Sequence, residues 1–157
     1  WAAGMVESTA RPPQGGDTDQ LRGIVSGECD VAVANHYYFL RGFEKNVDGL
    51  TDGIDNIGFV WPNQSGRGAH VNLSTAAKTA HAPNSDEADQ LLEFFTTEFA
   101  QQHFAGQNNE YPVVSGVALD EDTARLGIFI PDTTTNTAVF GTNAKAAQTI
   151  FNNVGWD

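Results

Sequence analysis

A short apolar run, Asp30-Val-Ala-Val-Ala, stops at Asn35 and gives way at once to His36, Tyr37, Tyr38, Phe39, Leu40 and Arg41. An apolar side chain at nearly every position suits a strand in a sheet covered on both faces. Asn35 is a good helix cap, so a helix is predicted from there to about Phe43. The segment thus reads as a buried strand that delivers two phenols to the mouth of a helix. Phenolate is a hard, anionic oxygen donor, and hard donors suit hard cations; among these, trivalent iron suits it best. A free phenol titrates near 10, so a bound cation must displace its proton. Two phenolates cancel two of the three charges on Fe³⁺. Neighbours on a helix point about 100° apart, yet in the first turn both phenols can lean toward one ion beyond the helix end. The positive dipole of that end favours phenolate and opposes the cation.

The chain has 157 residues, 40% hydrophobic and 18% charged. That is the size of one domain able to bury a core, with a globular composition. It contains no apolar run of about 18 residues, the length that a membrane-spanning helix needs. It shows no basic and apolar leader, and a start at Trp1 points to a processed chain or a fragment. Twenty acidic against 8 basic residues give a net charge of −12. Nucleic acid, which calls for basic patches, is therefore not an expected partner. An anionic membrane surface would repel the chain. Cys29 is the single cysteine, which rules out an internal disulfide and a cysteine zinc site; it reads as a small buried residue beside the strand.

Other elements follow from local pattern. Residues 1–8 look like the frayed end of a helix. Asp17 or Thr18 can cap a helix whose apolar face is Leu21, Ile24 and Val25, with Gly27 at its C-terminal end. Asp48, Asp52 and Asp55 lie in a Gly- and Asp-rich loop without the spacing of a calcium-binding EF-hand. Strands are predicted at Ile57–Trp61 and His70–Leu73. A single helix is expected from Asn84 to about Phe104, burying Ala88, Leu91, Leu92, Phe95 and Phe99. The segment Asn109–Val113 should be extended ahead of Pro112. A last helix is expected from near Thr142, burying Ala147, Ile150, Phe151 and Val154. Strands alternating with helices predict an α/β fold.

Several stretches, taken in order, carry a family resemblance: Arg11-Pro-Pro-Gln-Gly-Gly-Asp-Thr18, Gly27-Glu-Cys-Asp-Val-Ala-Val-Ala-Asn-His-Tyr-Tyr38, Val60-Trp-Pro-Asn63, Gly66-Arg-Gly-Ala-His-Val-Asn-Leu-Ser74, Leu91-Leu-Glu-Phe94 and Asn109-Glu-Tyr-Pro-Val113. The chain resembles the C-terminal half of periplasmic ferric-iron-binding proteins, the solute receptors of bacterial iron ABC transporters. The resemblance implies part of a two-lobe, periplasmic-binding-protein type 2-like α/β fold, with iron held in the cleft between lobes. Residues 1–57 would belong to the second lobe and carry the tyrosine pair; 58–157 would form the hinge return and the C-terminal part. Tyr37 and Tyr38 would be paired ligands of Fe(III). Asn35 corresponds, in some members, to a residue that helps hold a synergistic anion, and His36 and Asp17 would stand in the surrounding shell. The resemblance also implies delivery to a membrane permease, a periplasmic or extracytoplasmic place, and no catalysis.

Departures from the family are equally readable. Its members are about twice as long, and their remaining iron ligands would lie upstream of Trp1. An acid at Asp17, where anion-using members commonly place Asn, disfavours an anion. Related two-lobe receptors carry anions or polyamines, but the tyrosine pair argues against those ligands. A hydrolase using Cys29 or a histidine lacks any Gly-x-Ser-x-Gly or His-Glu-x-x-His signature. His70, His81, His103 and Tyr111 read as structural or solvated. Unpaired apolar strands at the edges of a half-receptor would favour a homodimer or higher oligomer.

Overall fold

The computed structural model describes residues 1–12, 14–44 and 46–156. Among them lie seven α-helices and one 3-10 helix. They are α1 (Ala2–Ser8), α2 (Asp17–Val25), α3 (His36–Glu44), the 3-10 helix Thr51–Asn56, α4 (Ser85–Phe95), α5 (Glu98–Asn108), α6 (Glu121–Arg125) and α7 (Ala138–Val154).

The core that holds the tyrosine helix is built from α2, α3 and the 3-10 helix. Leu21, Phe39, Leu40, Leu50 and Ile54 are buried together, with Val25, Ala34, Tyr38, Phe43, Phe59 and Leu126 packed against them. Leu40 is completely buried, and removing such a side chain from water contributes about 1.5–3 kcal/mol. Gly42 lets α3 approach closely: a β-carbon there would stand 2.9 Å from the end of the Ile54 side chain. Asp17 is the first residue of α2 and Gly16 its cap, not Asp17 or Thr18 as expected. Asp19 reaches back to accept from the Gly16 N–H at 2.9 Å. Gly27, at φ 76°, turns the chain out of α2.

No β-strand forms among the described residues; an isolated parallel bridge joins Ala69 to Pro131. The segments 30–34, 57–61 and 70–73, expected as strands, lie outside any ladder. A strand needs a neighbouring backbone to take its N–H and C=O groups, and among the described residues none pairs with these segments in a ladder. Val31 and Val33 are 83% and 86% exposed, where coverage on both faces was expected.

The expected helix from Asn84 to Phe104 is two helices. Thr96 and Thr97 turn their hydroxyls back onto the Glu93 and Phe94 carbonyls, each at 2.7 Å. Such local bonds compete with helix continuation, and Thr97 then caps α5 by accepting from the Ala100 N–H. Phe99, expected inside, is 70% exposed. The last helix starts at Ala138, not Thr142, and buries none of its residues; Ile150 is exposed. The Asn136 side chain accepts from the Ala138 N–H at 3.0 Å and so fixes the earlier start. Trp1 stacks on Trp156 with centroids 5.9 Å apart, so that α1 and α7 meet.

Candidate metal centre

Tyr37 and Tyr38 stand in the first turn of α3 with ring centroids 4.5 Å apart, tilted by 41°. Both are half-buried. Tyr38 leans on the core, while Tyr37 lies one helical turn before Arg41. The Arg41 guanidinium sits 5.2 Å from the Tyr37 ring centre and 5.1 Å from that of Tyr38, a cation held over two electron-rich faces. The Tyr37 phenol is held above its ordinary pKa. Partial burial is the main cause; the hydrogen bond with Tyr38 and that residue's charge come next, then the Asp17 carboxylate, while Arg41 opposes them.

Asp17 and Asn35 are hydrogen-bonded to each other next to the pair. Asp17 Oδ1 accepts from the Asn35 backbone N–H at 2.5 Å and from its side-chain Nδ2 at 3.1 Å. One carboxylate therefore fixes the residue at which the apolar run turns into α3. It thus engages both the backbone and the side-chain nitrogen of Asn35.

His36, the first residue of α3, reaches to the end of α5. Its Nε2 lies 2.8 Å from the Asn109 carbonyl. A carbonyl can only accept, so Nε2 carries the proton. Burial lowers the His36 pKa, against the upward pull of that carbonyl and of Glu110. Its surroundings are aromatic, with Tyr37, Trp61 and Tyr111 centred 5.7, 5.8 and 5.3 Å away. Trp61 stacks on Phe129 at 4.1 Å and donates from Nε1 to the Leu126 carbonyl. The Tyr111 hydroxyl donates to the Gly127 carbonyl at 2.6 Å, and burial pushes its pKa up to about 12.

The other candidates lie elsewhere. Cys29 is half-buried beside Gly23, and among the described residues it makes no hydrogen bond to a histidine. Asp48, Asp52 and Asp55 are exposed. No group of three His, Cys, Asp or Glu side chains gathers among the described residues. Two features of the site escaped the sequence reading. Arg41 was within reach, because it follows Tyr37 by four residues, the spacing that places side chains on one helix face. The His36–Asn109 bond spans 73 residues, and no local pattern announces it.

No family model matches the chain. Over 156 residues, 99% of its length, it is 41% identical to iron uptake protein A1 of Synechocystis sp., of which it covers 43%. Among solved structures, a Trichodesmium protein (IdiA, FutA) in complex with iron and citrate superposes with a TM-score of 0.94. The two are 38% identical, and the match covers all of this chain and 49% of that one. A ferric binding protein from Campylobacter jejuni gives a TM-score of 0.89 at 32% identity, with 99% and 49% of the two chains covered. The chain spans about half the length of these relatives. They are iron uptake and ferric iron-binding proteins, one of them seen with iron and citrate. The chain is thus a homologue of bacterial ferric iron-binding proteins, corresponding along its whole length to about half of each.

Proposed function

We propose that this chain supplies the two-tyrosine wall of a ferric-iron cleft in the extracytoplasmic receptor of an iron ABC transporter. The single observation that carries this reading is the side-by-side placement of Tyr37 and Tyr38 in the first turn of α3, within a chain homologous throughout to iron-binding proteins. Each phenol loses its proton on meeting Fe³⁺ and becomes a phenolate ligand. Residues 1–57 hold this wall, and 58–157 return the chain beside it. The remaining coordination positions are filled from outside the pair, by further ligands of the full-length receptor or by an oxygen-rich anion. Citrate is the anion tested first, since the Trichodesmium structure contains it with iron. Asp17 and Asn35 act on the pair from behind, Asp17 by its charge and Asn35 by fixing the helix start. The bare valines at 31, 33 and 60 and Ile128 favour pairing with further backbone, in a whole receptor or in a second copy. The reaction is capture and release, handed to a permease, without bond-making beyond the metal shell.

Equilibrium dialysis against ferric citrate at neutral pH tests the reading. Iron should be retained by the native chain, and Tyr37→Phe and Tyr38→Phe should each lower retention severalfold. Equal retention by the native chain and both variants would refute it.

A further inference from the structure

We propose that His36 is a positioning residue for the tyrosine pair, setting the rotation of α3 through its hydrogen bond to the Asn109 carbonyl. The inference rests on the ferric reading of the site and adds a residue to it.

Adjacent positions on a helix diverge by about 100°, so the convergence of Tyr37 and Tyr38 on one ion depends on how the first turn of α3 is rotated. Three constraints act on that turn. The core grips α3 through Phe39 and Leu40 on its inner side. Asp17 holds Asn35, immediately before the helix. His36 reaches in another direction, to the end of α5, and its ring is wedged among Trp61, Tyr111 and Tyr37. The receiving end is itself fixed. Asn109 closes α5 in the left-handed conformation at φ 60° and is 1% exposed. Its N–H donates to the Ala105 carbonyl, which leaves its own carbonyl beyond the helix end, facing His36. The donor is thus the residue next to the first phenol, and the acceptor belongs to a different helical layer. The bond ties the orientation of the candidate ligands to the layer built from α5 and α6. Groups that orient ligands from behind typically change metal affinity by about 10–100-fold when removed.

The test compares His36→Phe, which keeps an aromatic ring in the cage but loses the donor, with His36→Gln, whose amide can donate to the same carbonyl. Ferric affinity is read by citrate competition and by the phenolate-to-iron absorption band. The Phe variant should bind about 10–100-fold more weakly with a shifted band, and the Gln variant should recover most of the difference. Ring proton shifts and ring-to-ring NOEs of Tyr37 and Tyr38 are recorded on the same variants without iron. There, Gln should resemble the native chain, and Phe should depart from it. A Phe variant that matches the native chain in both readouts overturns the proposal, as does a Gln variant as impaired as Phe. A native chain without any iron band refutes the ferric reading alone, and the iron-free NMR comparison still decides the role of His36.

Discussion

Replacing Asp17 with alanine removes both bonds that hold Asn35 at the entrance to α3. The shorter, 2.5 Å from the Asn35 N–H, and the longer, 3.1 Å from its Nδ2, both end on one partly buried carboxylate oxygen. Hydrogen bonds to a charged group contribute about 1.5–3 kcal/mol each when well made. The long one belongs near or below the bottom of that range. An acid in the first turn of α2 adds about 0.3–1 kcal/mol through the helix dipole. The alanine variant should therefore lose about 3 kcal/mol, a large part of the roughly 5–15 kcal/mol typical of a domain. Asparagine keeps an acceptor in the same place but halves the bond strength, since charged hydrogen bonds are roughly twice as strong as neutral ones. Asp17→Asn should cost about 1.5 kcal/mol. With a urea slope near 2 kcal/mol per molar, the unfolding midpoint should fall by about 1.5 M for alanine and about half that for asparagine. The same asparagine change takes away a negative charge that holds the Tyr37 proton, so the Tyr37 phenol should become more acidic. Equal losses for the two variants, or an alanine variant within about 0.5 kcal/mol of the native chain, would refute the assignment of Asp17 as the clamp on Asn35.

Two further predictions concern the surrounding scaffold. The Tyr111 phenol holds its proton up to about pH 12 in the folded chain against about 10 when unfolded. The stability it contributes is complete below the unfolded value and is lost as pH rises through the folded one; urea midpoints should fall between pH 10 and 12, and less steeply in Tyr111→Phe, where Tyr37 still titrates in the same sense. Gly53→Ala would press a β-carbon against Val25 Cγ1 and set it 3.3 Å from Val25 Cβ. A β-branched side chain has little room to rotate away, so the change should cost about 1–3 kcal/mol. Val25→Ala in the same chain should recover part of it, a coupling that a double-mutant cycle reads directly.

The tyrosine helix was legible because its signals are local. Asn35, the aromatic pair and the inner Phe39 and Leu40 lie within six residues, and α3 forms where the pattern places it. The core around Leu21 followed in the same way from the spacing on α2. What failed depends on partners. The four apolar positions after Asp30 specify a buried strand only if other strands flank them, and Val31 and Val33 stand exposed without any among the described residues. The break between α4 and α5 turns on hydroxyl-to-carbonyl bonds at Thr96 and Thr97, which the apolar spacing of Leu91, Leu92, Phe95 and Phe99 overrides when read alone. For α7 the starting signal was present but misplaced: the Asn136 side chain accepts from the Ala138 N–H, and the helix opens at Ala138, four residues before Thr142, from near which it was expected. His36 was noticed for its position beside the phenols, but its partner at Asn109 belongs to another helix and emerges only from the three-dimensional structure.

Visible absorption during a ferric citrate titration tests the role of Tyr37 and Tyr38 most directly, because a phenolate-to-iron charge-transfer band arises only from a tyrosine oxygen bound to the metal. The native chain should develop the band as iron is added. Tyr37→Phe and Tyr38→Phe should each weaken and shift it, and the double variant should abolish it. A native chain that stays colourless at saturating ferric citrate, or a band that survives both substitutions, would contradict the assignment of these two phenols as iron ligands.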